Sequence, residues 1–212
     1  MAGRPSREGT LVWQMAISGE RVTAMRKLIL VRHSLPVIMG EQPASQWQLS
    51  EEGRRRCQRL AELLAVHHPA ALVTSTEPKA IETGQIIGER LGIVVEAVPN
   101  LHEHERPGTG LDAPEQFQAK VGRLLEHPGK QVFGAETGDE ARERFSGAVD
   151  DAMRRHPAGN VVMVTHGTVM TLFVARVAGI DPVPFWEGLG LPAYVVLSYP
   201  ELALLEVVAS VV

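Results

Sequence analysis

The chain has 212 residues, 44% of them hydrophobic, and a formal net charge of −4, enough for one sizeable core and for a second domain only if that is small. The acidic balance excludes a global basic footprint for nucleic acid. A lone cysteine, Cys57, excludes an intrachain disulfide framework and suits a reducing cytoplasm, and no apolar run is long and uninterrupted enough to span a membrane.

Residues 1–25 carry no repeating pattern and a short, interrupted apolar stretch, which reads as a flexible N-terminal extension, with Met25 as an alternative start. Residues 26–212 then form the domain. Its first strand, 27–32, contains the apolar run Leu28-Ile29-Leu30-Val31 and runs into Arg32-His33-Ser34. Ser50, followed by Glu51 and Glu52, opens a helix on which Cys57, Leu60, Ala61 and Leu64 recur at core spacing, so Cys57 is expected to pack inertly. Arg54-Arg55-Arg56 and Arg59 lie on its solvated face, and His67-His68 fall where the partial negative charge of a helix C-terminus favours histidine.

A strand over 70–74 follows, then a helix started by Thr76 and Pro78. Its Ala80, Gly84, Ile87 and Leu91 share a face before Gly92 ends it. After a strand at 93–96, residues 97–136 are irregular and rich in Pro and Gly, and are expected to supply a short helix and a cap-like insertion over the site. Asp112 with Glu115, and Thr137 with Glu140, have the spacing of capping boxes. The second opens a helix whose buried stripe is Ala141, Phe145, Ala148, Val149 and Ala152. The run Val161-Val162-Met163-Val164 in a strand over 160–165 leads to Thr165-His166-Gly167 and a helix over 167–178, whose free amides suit an anion. Strands at 193–199 and 202–208 flank Tyr199-Pro200-Glu201. This alternation predicts a three-layer α/β/α sandwich with a mostly parallel sheet.

Two apolar strands thus each deliver a histidine to a loop, and in such sheets ligands bind outside the carboxyl ends of the strands. A neutral imidazole can attack phosphorus if one ring nitrogen is held by an acceptor and the other faces the phosphate. His33 fits that role, with Arg32 supplying a permanent planar cation and His166 a further donor. Either histidine alone is equally well a satisfied strand-end residue; together they favour function. Glu103 would protonate a leaving oxygen if burial raised its pKa, or would simply pair with Arg106. His102 and His104 lack a third ligand in the sequence, so no metal is expected.

At this point the chain resembles the histidine phosphatase superfamily, the phosphoglycerate-mutase-like enzymes. Val31-Arg32-His33-Ser34 is similar to the family's Arg-His-Gly, Leu49-Ser50-Glu51-Glu52-Gly53 to its Leu-Thr/Ser-x-x-Gly, and Thr74-Ser75-Thr76-Glu77-Pro78-Lys79-Ala80-Ile81-Glu82-Thr83 to its Ser-Ser-x-x-x-Arg-Ala-x-x-Thr. Leu101-His102-Glu103, Ala135-Glu136-Thr137 and Val164-Thr165-His166-Gly167 match later motifs in family order. The resemblance implies a metal-independent phosphomonoester hydrolase without cofactor, with His33 as nucleophile through a phosphohistidine, Arg32, Lys79 and His166 holding the phosphoryl group, and Glu103 as proton donor. It also implies a small phosphate ester or phosphoprotein as substrate, with no nucleic-acid or membrane partner. Pro36, Trp47 and Arg106 would line the entrance, leaving the particular ester and the oligomeric state open. Two departures stand out: Ser34 replaces a glycine, which would strain the backbone if positive φ were required, and Lys79 replaces an arginine. A phosphoglycerate-type mutase and a catalytically lapsed phospholigand-binding protein are the alternatives, the first disfavoured by the apolar Leu35-Pro36-Val37-Ile38-Met39 after His33.

Overall fold

Among the described residues six strands form one sheet in the order β3-β2-β4-β1-β5-β6, where β1 is Arg26–Arg32, β2 Pro69–Thr74, β3 Val95–Ala97, β4 Asn160–Thr165, β5 Ala193–Tyr199 and β6 Leu204–Val208. The computed structural model describes residues 25–40, 42–107 and 112–212; the expected extension, Met25 apart, lies outside the described residues. β3, β2, β4 and β1 are parallel neighbours, and β5 and β6 add antiparallel to the β1 edge.

The helices are α1 (Glu51–Ala65), α2 (Pro78–Leu91), α3 (Pro114–Glu126), α4 (Gly138–Arg155), α5 (Gly167–Ala178) and α6 (Pro182–Gly188). Successive strand residues point to opposite faces, and β1 shows the consequence. Leu28 and Leu30 join Phe145, Val149 and Met153 of α4 on one face, while Ile29 and Val31 join Leu60 and Leu64 of α1 and Ile87 of α2 on the other. Burial on both faces is why the strands read as continuous apolar runs rather than alternating ones. The result is the expected three-layer α/β/α arrangement.

Helix starts show where local chemistry suffices. Ser50 caps α1 by accepting from Gly53 N at 2.9 Å, and Thr137 and Glu140 form a complete capping box on α4. We expect Thr137→Ala to cost about 1 kcal/mol in urea unfolding, with an unchanged denaturant slope, because one cap is lost and the core is untouched.

Other expectations require correction. Asp112 and Glu115 form no capping box: α3 has Ala113 as N-cap with no side-chain bond, and Asp112 instead accepts from Lys120 Nζ at 2.6 Å. The N-cap of α2 is Glu77, not Thr76, and its side chain caps nothing; proline at the first helical position removes one of the N–H groups a cap would serve. The His67 ring turns from the α1 carbonyls to pack edge-on against Tyr194 at 5.9 Å and lie 3.6 Å from Glu206. The short α6 and the 3-10 turn Ala44–Gln46 were not anticipated. Cys57 does pack as expected, and burial pushes its thiol up to about 11.

Candidate active site

Strand register brings the two histidines together. β1 and β4 pair with Arg32 opposite Thr165, and His33 N donates to Thr165 O at 2.9 Å, so each histidine is the first residue past its strand. Their rings meet edge to face with centroids 5.1 Å apart. On the far side of β4, Ser75 leaves the end of β2 and its N–H donates to Val164 O at 2.8 Å. His166 is therefore flanked by the ends of both neighbouring strands.

His33 Nδ1 lies 2.7 Å from Ser34 O. A carbonyl only accepts, so Nδ1 carries the proton and Nε2 keeps its lone pair. Burial, the neighbouring His166 and the charge of Lys79 hold His33 well below the usual histidine pKa, which keeps the ring neutral and nucleophilic near pH 7. Ser34 is not among the residues with positive φ, so the strain feared for a non-glycine residue is absent. Its hydroxyl instead donates to Gly53 O at 2.8 Å, and its N–H to Thr83 Oγ1 at 3.1 Å. Gly53 itself permits close approach of α1 to this loop, since a Cβ there would come within 2.2 Å of Leu35 O.

Arg32 points back to the same place. Its guanidinium donates through Nη1 to Leu189 O and rests against Gly167 at the start of α5, where a Cβ would approach Nε to 2.9 Å. Glycine at 167 thus leaves room for the Arg32 guanidinium to lie against the start of α5. Arg32 Nε and His166 Nδ1 are both buried without a hydrogen-bond partner among the described residues; such groups are costly unless something satisfies them.

Lys79, on the first turn of α2, is 4% exposed. Its ammonium pairs with the Glu77 carboxylate and donates to Ala44 O at 2.7 Å, while its charge bears on both His33 and His166. Burial and Lys79 hold His166, like His33, well below the ordinary histidine value.

Glu103 reaches the site from the loop after β3. Its carboxylate accepts from Thr168 N at 3.0 Å and Val169 N at 3.1 Å, at the N-terminus of α5, and from His104 N at 2.9 Å. Arg106 lies 3.9 Å away. Burial alone would raise the carboxyl, but Arg106, the partner the sequence offered as the alternative, together with His166 and the amides of Thr168 and His104 outweighs it and holds Glu103 well below the usual carboxylate range. Ligand-free, it is a carboxylate. Arg144 of α4 braces this loop, donating to Asn100 O at 2.9 Å and His102 O at 3.1 Å and pairing with Glu136 at 2.6 Å.

All five predicted site residues, Arg32, His33, Lys79, Glu103 and His166, thus belong to one cluster. Of the proposed entrance residues, Trp47 donates to Met39 O at 3.1 Å and Gln42 O at 3.2 Å, Pro36 bridges to Leu49, and Arg106 stacks 4.8 Å over Phe117. His102 and His104 diverge: one faces Glu105 at 3.3 Å, the other Glu136 O at 2.7 Å. Among the described residues no group of three or more His, Cys, Asp or Glu is arranged to hold a metal. Sequence reasoning missed Glu77, Arg144 and the part played by Ser75. The only local signal for Glu77 was a glutamate before Pro78, where a serine, threonine or asparagine cap is usual.

Comparison with known proteins agrees with this geometry. Residues 28–201 match the histidine phosphatase superfamily (branch 1). The chain is 26% identical over 189 residues to phosphoserine phosphatase 1 of Hydrogenobacter thermophilus, covering 84% of this chain and 88% of that protein. It is 28% identical over 187 residues to glucosyl-3-phosphoglycerate phosphatase of Mycobacterium tuberculosis, covering 78% and 80%. A mycobacterial glucosyl-3-phosphoglycerate phosphatase solved with inorganic phosphate superposes with a TM-score of 0.67 at 25% identity, over 88% of this chain and 98% of that one.

Proposed function

The chain belongs to the histidine phosphatase superfamily, and from that premise we infer that it is a phosphatase hydrolysing small phosphate monoesters through a phosphohistidine on His33, without metal or other cofactor. The observation that carries this reading is the Nε2 of His33 set beside two buried nitrogens, Arg32 Nε and His166 Nδ1, that have no hydrogen-bond partner among the described residues. Phosphoryl oxygens supply the missing acceptors. The unstrained Ser34 supports a working enzyme over a lapsed one. The apolar loop after His33, where Val37, Ile38 and Met39 are exposed, supports water rather than a second polar substrate as acceptor. The protein is assigned to the cytoplasm, which suits its one buried thiol.

In the first step His33 Nε2 attacks phosphorus, the P–O ester bond breaks, and the leaving oxygen takes a proton from Glu103. Arg32, Lys79 and His166 balance the charge on the equatorial oxygens, the task that Mg²⁺ performs in other phosphoryl-transfer enzymes. In the second, water attacks phosphorus and gives its proton to the Glu103 carboxylate as the N–P bond breaks. His33 is restored neutral and inorganic phosphate leaves. The hydrogen bonds around Glu103 suit the second step as they stand. For the first, the negative charge of the bound ester raises the carboxyl, and Glu103 takes up a proton with the substrate.

Phosphate release from paired aryl and alkyl esters tests both steps. Glu103→Gln keeps the shape and removes the proton, so we expect turnover of alkyl phosphates to fall by roughly 10²-fold or more and that of aryl phosphates, whose leaving oxygens need less help, to fall much less. Equal losses on both would reduce Glu103 to a structural group. Absence of phosphate release by the unmodified protein across a broad ester panel would overturn the hydrolase reading.

A further inference from the structure

Glu77 is a buried anion placed among cations that, on the reading above, serve a different anion. It is 8% exposed, and one carboxylate oxygen pairs with Lys79 Nζ. That pairing alone would answer for its burial. The other oxygen, Oε1, accepts from Glu103 N at 2.9 Å and lies 3.5 Å from His166 Nε2. The same Nε2 is 2.8 Å from Ser75 Oγ, which in turn accepts from Glu77 N at 3.3 Å. One side chain therefore touches the phosphate-binding cation, the loop of the proposed acid and the second histidine, and the mechanism above gives it no part.

The ring of His166 has two different sides. The 2.8 Å contact of Nε2 with the Ser75 hydroxyl accommodates either tautomer of the neutral ring; the one that lets Nδ1, a buried nitrogen with no partner among the described residues, donate to a phosphoryl oxygen has Nε2 accepting from Ser75. When a phosphoryl oxygen meets Nδ1–H, a second proton can enter at Nε2 only if an acceptor stands there. Ser75 Oγ, with the Glu77 carboxylate beside it, is that acceptor. We propose that Glu77 is a positioning residue that stabilises the doubly protonated form of His166 whenever a phosphoryl group is bound, Nδ1–H facing the phosphoryl oxygen and Nε2–H held by Ser75 and Glu77. The proton arrives on the monoanionic ester or from solvent, so phosphate binding takes up a proton at this ring.

The charges facing His166 come from three places. The end of β1 brings Arg32 and His33, the start of α2 brings Glu77 and Lys79, and the loop before α3 brings His102, Glu103 and Arg106. Without an anion, burial and Lys79 keep the ring neutral, Glu103 opposing them. A phosphate dianion offsets Arg32, Lys79 and Arg106 and, with Glu103 protonated, leaves the Glu77 carboxylate to favour the imidazolium.

The inference rests on the phosphatase reading, and the test separates the two. Side-chain ¹⁵N spectra of histidine-labelled protein, assigned with His166→Gln, are compared with and without inorganic phosphate at about pH 7. We expect His166 to be neutral without phosphate and protonated on both nitrogens with it. In Glu77→Gln, whose amide oxygen still accepts from Glu103 N–H, His166 loses that protonation and the alkaline limb of kcat moves about one pH unit lower, because an imidazolium stripped of a nearby carboxylate gives up its proton more easily. Phosphate bound to a neutral His166 in the unmodified protein overturns the proposal and leaves the phosphatase reading standing; failure to bind phosphate overturns both. A folded Glu77→Gln with an unmoved alkaline limb also overturns it, and should that variant not fold, the spectra of the unmodified protein decide.

Discussion

Replacing His33 by alanine is expected to lower phosphate release by roughly 10⁴-fold or more and to abolish acid-labile phosphate labelling of the protein, since removal of a covalent nucleophile leaves only the binding groups around it. The fold should survive, because the imidazole bonds, among the described residues, to the adjacent Ser34 carbonyl alone, and the strand pairing of β1 runs through backbone groups. Far-UV circular dichroism and thermal melting check that point; mass spectrometry of the trapped intermediate checks the assignment. A phosphorylated residue other than His33, or near-normal turnover by His33→Ala, would falsify the mechanism.

Lys79→Ala is expected to cost roughly 10²-fold or more in turnover, the size found when one preorganised donor is removed from a charged transition state. It will also lower stability by about 3 kcal/mol, because the Glu77 carboxylate is left buried without its cation. Lys79→Arg separates these effects. Arginine keeps the charge for Glu77 and offers a planar fork to the phosphoryl group, so stability and much of the rate should return. Some deficit will persist, since the pocket places the slim ammonium 2.7 Å from Ala44 O and the two cations differ in shape. The expected order in kcat/KM is Lys, then Arg, with Ala far below. Full activity of Lys79→Ala with unchanged inhibition by inorganic phosphate would put Lys79 outside the site.

What was legible in the sequence follows from interactions between near neighbours. Continuous apolar runs marked β1 and β4 because both faces of a central strand are covered, and Ser50 and Thr137 marked helix starts because a cap bonds an amide only a few residues away. Family motifs pointed to Arg32, His33, Lys79, Glu103 and His166 as one site. The short α6 and the 3-10 turn at Ala44–Gln46 escaped notice because segments of that length show no periodicity.

Tertiary structure alone decided how the site is charged. The register that sets Arg32 opposite Thr165, and with it the 5.1 Å approach of the two imidazoles, arises between strands remote in sequence. Ser34 escapes strain because of the backbone path the loop takes onto α1. For Glu103 the sequence left two outcomes open, a carboxyl raised by burial or a carboxylate paired with Arg106; the choice was made where the N-terminus of α5 and Arg106 meet the carboxylate in space. Glu77 was an unremarked residue before a proline until Lys79, Glu103 and His166 closed around it. Secondary structure rests on periodicity and capping within one segment, whereas the protonation of a buried group is the small difference between desolvation and the partners that other segments bring to it.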